Sequence, residues 1–119
     1  MDKFCADSVL DAALDKIETS TRLLLLPSQP ADLAAAEISK LGEIALDGGD
    51  FAKSAGAVSG RQVAVAAQTV SASNNGTVTH VGLVDDTALL YTTTTDAQAV
   101  LSGGIVLVAS WAIELRAPT

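Results

Sequence analysis

The sequence predicts a mainly β protein, an antiparallel β-sandwich of about six or seven short strands with one N-terminal α-helix. Three observations carry that prediction. The stretch from Thr77 to Thr95 reads as two strands around a tight turn. Turn-forming clusters recur along the chain at roughly ten-residue spacing after the first helix. The connections after Asp47 are too short to hold crossover helices, so the strands they join run antiparallel.

The hairpin organises the rest. In its first arm Val78, His80, Gly82 and Val84 alternate with Thr79, Val81, Leu83 and Asp85. Asp85-Asp86-Thr87 is the polar break, and aspartate tolerates turn geometry. In the second arm Ala88, Leu90, Thr92 and Thr94 alternate with Leu89, Tyr91, Thr93 and Thr95. Val, Thr and Tyr suit a pleated, half-buried surface. An isolated hairpin is marginal in water, so other strands must stack on this one.

The chain begins differently. Asp7 or Ser8 opens a helix, with Ser8 and Asp11 in the arrangement of a capping box. Val9, Leu10, Ala13, Leu14 and Ile17 form an apolar stripe, and Asp11, Asp15, Lys16 and Glu18 an outer polar face. Thr19-Ser20-Thr21 ends it. Thr21 to Leu26 is a continuous apolar run of strand length, the pattern of a strand buried on both faces. Pro27-Ser28-Gln29-Pro30 breaks it. Ala31 to Ser39 suits a short helix with Leu33, Ala34 and Ile38 inward.

Lys40 to Leu46 alternates through Leu41, Ile44 and Leu46. Asp47-Gly48-Gly49-Asp50 is a turn whose glycines are free to take positive φ. Phe51 to Ser54 is a short strand and residues 55–60 a loop. Arg61 to Thr69 alternates as one strand. Ser71 to Gly76 is a turn ending in Asn75-Gly76. After Thr95, residues 96–101 lead into the turn Ser102-Gly103-Gly104. Ile105 to Val108 and Trp111 to Arg116 complete the strands. Residues 1–119 form a single domain, with 1–20 the N-terminal helix packed on the sheet and 21–119 the sandwich.

Composition limits the function. The net charge is −7, from 14 Asp+Glu against 7 Lys+Arg. That argues against binding a phosphate backbone, which needs clustered Lys and Arg, so we expect no nucleic-acid partner. No window approaches the ~18 consecutive apolar residues of a membrane span, and we expect no membrane partner. No basic, apolar and small-residue succession marks a signal peptide. Cys5 is the one cysteine, which precludes an intrachain disulfide and reads as a small buried residue on the first helix. Apolar residues make up 49% and charged residues 18%. Such a surface is readily covered by other proteins and points to a homo-oligomer.

Reaction chemistry is thin. His80 is the one histidine, in mid-strand, without a nucleophile on a turn or an orienting acid. Asp47 to Asp50 and Asp85-Asp86 lack the twelve-residue calcium loop with its late glutamate. Arg22, Arg61 and Arg116 are dispersed, and Arg61 reads as an anchor for a loop carboxylate. The assignment is therefore no enzyme, with no catalytic, cofactor-binding or metal-ligating residue and no cofactor. A sugar or receptor could be met by the loops 47–60 and 71–76, with Tyr91, Phe51 and Trp111 as the aromatic candidates.

The order of these signals resembles a known group. Leu10 to Ile17 leads to the apolar strand and the turn at Pro27–Pro30. Gly49-Asp50-Phe51 follows, then Ser59-Gly60-Arg61 with Val63 to Gln68. Gly76 to Asp85 precedes Leu89-Leu90-Tyr91, and Trp111-x-Ile113-Glu114-Leu115 comes last. This pattern resembles small tailed-bacteriophage virion structural proteins and the β-sandwich modules of phage decoration and fibre proteins. The resemblance implies a virion component assembled in the host bacterial cytoplasm. Its partners would be the major capsid protein or tail and neck components. It implies a capsid decoration (cement) protein first, and a tail, neck or fibre-associated protein with a host-receptor or glycan-binding sandwich second. It brings no active-site residues.

Overall fold

The computed structural model describes residues 5–56 and 59–115, and among them the chain forms two helices and nine strands. They are α1 (Asp7–Ile17), β1 (Arg22–Leu26), α2 (Leu33–Ser39), β2 (Gly42–Ala45), β3 (Phe51–Ala55), β4 (Arg61–Val65), β5 (Gln68–Ser71), β6 (Gly76–Val84), β7 (Leu89–Val100), β8 (Ile105–Val108) and β9 (Trp111–Leu115). Every strand pairing is antiparallel. One sheet runs β2-β1-β6-β7, a second β3-β4-β9, and a two-stranded ribbon pairs β5 with β8. A bridge from Gly42 to Ala72 ties the ribbon to the first sheet. The protein is a mainly β, antiparallel sandwich.

The apolar alternation of β1 explains the layers. Leu23 and Leu25 enter the main core, and Leu24 and Leu26 enter a second, smaller one; all four are fully buried. The main core joins them to Val81 and Leu83 of β6, to Phe51, Val63, Val65 and Ile113 of the second sheet, and to Val70 and Val106 of the ribbon. The second core lies on the opposite face, where Ala36 of α2 covers Leu24, Leu26 and Val84. A five-residue strand buried on both faces is what the sequence predicts of Thr21–Leu26.

The expected helix at the start is present, with a narrower buried stripe. Leu14 is fully buried, while Val9 is 60% exposed and Ala13 is exposed. Ala6 is the N-cap and supplies no side-chain bond. Ser8 lies inside the helix, so the Ser8–Asp11 box does not form. Cys5 precedes the helix and is half-buried. The polar face of α1 makes ion pairs with the sheets and the hairpin turn, while Asp15 and Lys16 stay exposed to water. Asp11 accepts from the Arg61 guanidinium at 2.9 Å, Asp15 and Glu18 pair with Lys53, and Lys16 pairs with Asp85. Arg61 thus anchors a helix carboxylate, not a loop carboxylate.

Other expectations need correction. On α2 it is Ala36 that turns inward, with Leu33 packed against the same cluster, while Ala34 is exposed and Ile38 is 86% exposed. Asp32 caps that helix by accepting from the Ala35 N–H. Asp47–Asp50 is a single 3₁₀ turn closed by a reciprocal Asp47/Asp50 capping box. Neither of its glycines takes positive φ; Gly60 and Gly103 do. Arg61–Thr69 is two strands, since the Ala66 N–H leaves the ladder to bond the Asp50 carbonyl at 2.8 Å. Residues 71–76 turn the chain, yet β5 pairs with β8 and not with β6. Arg116 and residues 57–58 of the loop lie outside the described residues.

Candidate functional site

The hairpin is the longest pairing in the protein, and its second arm is longer than predicted. β7 continues through Asp96 to Val100. Between the partner pairs Val78/Gln98 and His80/Thr94 the register slips, so that residues 95–97 of β7 face Thr79 alone. Such a bulge re-aims side chains. At the same point Val78 enters the main core together with Val81 and Leu83, against the simple alternation that groups Val78 with His80.

β7 is also the end strand of its sheet. An end strand presents one row of unpaired N–H and C=O groups. From Thr94 to Ala99 both sets of alternating side chains are exposed as well. Asp96 is the only charge in the strand, and it holds no proline. Lysine and proline, two of the devices that blunt an edge, are missing from it, and the bulge at residues 95–97 is the device it has.

Beside this edge lies a groove of about 300 Å³. Thr93, Thr94 and Thr95 form one wall, and Val108 to Ala112 the other. Tyr91 and Trp111 stack at its end, with ring centroids 5.9 Å apart and planes inclined by 27°. The Trp111 Nε1–H is buried and has no hydrogen-bond partner. A buried unpaired donor is costly, and a ligand acceptor would relieve it. Of the three aromatic candidates, Tyr91 and Trp111 meet here, while Phe51 is core. Neither predicted loop lines the groove. Sequence reasoning missed the 108–112 wall, whose only distinctive residue is Trp111.

A second concavity, of about 540 Å³, lies between residues 31–34 and Thr87–Leu89. The outer face of the β5–β8 ribbon is apolar too. Ile105 is 63% and Leu107 74% exposed, opposite Ser71 and Thr69 in register.

Several ionisable residues are engaged in structure. Arg22 bonds Glu37 at 2.8 Å and Glu43 at 2.6 Å, and Lys40 also pairs with both. The Arg22 guanidinium holds both carboxyls below their usual range, and they in turn raise its own pKa. Asp85 accepts from the Thr87 and Ala88 N–H groups, which lower its pKa from 3.8 to about 2. His80 Nδ1 lies 2.9 Å from Thr79 Oγ1. That hydroxyl donates its one proton to the Pro27 carbonyl, so the ring nitrogen is the donor to Thr79. No group of three or more His, Cys, Asp or Glu suited to a metal ion occurs among the described residues, and no helix there is long and apolar enough to cross a membrane. No family model, curated protein or solved structure matches the chain.

Proposed function

We propose that the chain is a non-enzymatic structural component of a tailed-phage virion, a capsid decoration (cement) protein that stabilises the head through subunit contacts. The observation that carries this reading is the open edge of β7, with six consecutive residues exposed on both faces. Exposed edges are templates for pairing with other chains. The apolar ribbon face with Ile105 and Leu107 supports the same reading, because an assembly covers side chains of this kind. The partners are the major capsid protein and further copies of the chain, and the place of action is the virion. Quantitative mass spectrometry of purified particles tests it. Many copies per particle are expected; particles lacking the chain end the proposal.

The Tyr91–Trp111 stack favours one second reading, a tail- or fibre-associated protein that binds a host glycan. Aromatic faces and threonine hydroxyls around a groove are the chemistry of sugar binding. Trp111 fluorescence titrated with host surface polysaccharide separates the two, since a cement protein gives no saturable change. Gold labelling on heads rather than tails supports the first reading.

A further inference from the structure

We infer that the groove beside β7 is a slot for an extended, uncharged peptide segment of a neighbouring virion protein, which adds to the first sheet as a further strand. The inference rests on the reading of the chain as an assembling virion subunit and names the chemistry of what it grips.

The walls decide that the occupant is a strand. β7 ends the first sheet and β9, among the described residues, ends the second; the two are not hydrogen-bonded to each other. The groove lies between them, with Thr93 and Thr94 on one side and Trp111 and Ala112 on the other. An open strand edge carries unpaired N–H and C=O groups, and an extended backbone satisfies them. The ladder available on β7 runs from Tyr91 to Thr94, where the partners on β6 follow in step from Leu83 to His80. It stops short of the bulge at residues 95–97. So short a ladder takes a short segment.

The lining decides what that segment carries. No charged residue lines the groove. A cationic segment finds no carboxylate there, and an anionic one is opposed by the net charge of −7. Val81, Val108 and Ala112 are the apolar part of the lining, so the alternate side chains that turn inward are small and apolar. Backbone carbonyls of the segment are the acceptors that the Trp111 Nε1–H lacks. Tyr91 and Trp111 stack on each other, which occupies one face of each ring that a sugar would otherwise use, and the walls therefore favour peptide over glycan. The source of the segment follows from the slot. A strand that enters it must be free along both edges, and every described strand of this chain is already paired in a sheet. The segment belongs to a different protein.

Titration of the full chain with an acetylated and amidated pentapeptide of alternating valine and threonine tests this, read by the fluorescence of Trp111, the one tryptophan. A saturable change is expected. The same peptide N-methylated at every amide cannot donate to a strand edge and should bind about tenfold more weakly or worse, the order of two net hydrogen bonds lost. Lysine or glutamate in place of the valines should weaken it comparably. Ser110→Arg, at an exposed position between β8 and β9 that lines the groove, should do the same to the unmodified peptide. The methylated peptide needs no variant, so its result stands even if Ser110→Arg fails to fold. No saturable change up to the solubility of the peptide overturns the inference, as does equal binding of the methylated or the charged peptides. A saturable change with dextran and none with peptide would make the groove a sugar site and overturn it too. None of these results touches the virion reading, which stands or falls on the content of purified particles.

Discussion

Strands β1 and β7 lie in one sheet, one removed from the other, and meet water in opposite ways. Leu23 to Leu26 are fully buried, two on each face. Thr94 to Ala99 are exposed on both faces and at an open edge. β1 is therefore held by transfer of apolar side chains out of water, which is strong and tolerant of direction. The far half of β7 is held by backbone bonds to β6, which are worth little net when their alternative is water. A sheet can thus have a packed centre and a solvent-exposed rim. The centre sets the shape, and the rim is free of the packing that fixes the centre.

The largest effect that separates the two regions is at the centre. Leu25→Ala removes a fully buried side chain from the main core, and should lower unfolding stability by about 2–5 kcal/mol in urea titration. A loss under about 1 kcal/mol would mean that β1 is not the packed centre. Next is the join between sheet and ribbon. A Cβ on Gly42 would sit 2.6 Å from the Ser71 carbonyl oxygen and 3.2 Å from the Ala72 Cα. Both are backbone atoms and neither can rotate away. Gly42→Ala should therefore cost about 1–3 kcal/mol by the same measurement. An unchanged midpoint would show that ribbon and sheet are not pressed together there.

What could be read from the sequence follows the same division. β1 and α1 were legible because burial writes a pattern, a short apolar run in one and a 3.6-residue stripe in the other. The class of fold was legible because turn residues punctuate the strands. The far half of β7 was not, because Thr94 to Ala99 have no buried face and so carry no alternation to detect. The break between β4 and β5 was hidden in Ala66-Ala67, where no glycine or proline marks the bond from Ala66 to Asp50. On α2 the sequence pointed to Leu33, Ala34 and Ile38, and the helix instead buries Ala36 with Leu33 beside it and leaves Ile38 outside. Tyr91 and Trp111 were identifiable as candidates one by one. Their stacking depends on which strand ends the first sheet, and no local pattern records that.

A smaller effect belongs to the turn that joins the two arms of the hairpin. Asp85 has its pKa lowered from 3.8 to about 2, first by the Thr87 N–H and then by that of Ala88. A carboxylate favoured in the folded state contributes stability that is complete above the unfolded pKa and is lost as pH falls through the folded one. Unfolding stability should therefore drop between about pH 4 and pH 2. Asp85→Asn should be less stable than the parent at pH 6, and the gap should narrow across that window. A gap independent of pH would mean that the two N–H bonds do not act on the charge.

The smallest effect tests the rim itself. Gln98→Ala truncates an exposed side chain of β7 whose register partner is Val78. Measured on the monomer at high dilution, it should change stability by no more than about 0.5 kcal/mol, as surface substitutions do. The contrast with Leu25→Ala then comes from burial, since both residues lie in strands of the same sheet. Repeating the measurement at high protein concentration sharpens the comparison. If the rim is covered by a neighbour, Gln98 comes to lie at an interface, and the substitution acquires a concentration-dependent effect that Leu25→Ala lacks. A Gln98→Ala effect that stays small at every concentration would mean that the far half of β7 remains in solvent even when copies are crowded, and the adhesive role would have to move to the ribbon face of Ile105 and Leu107.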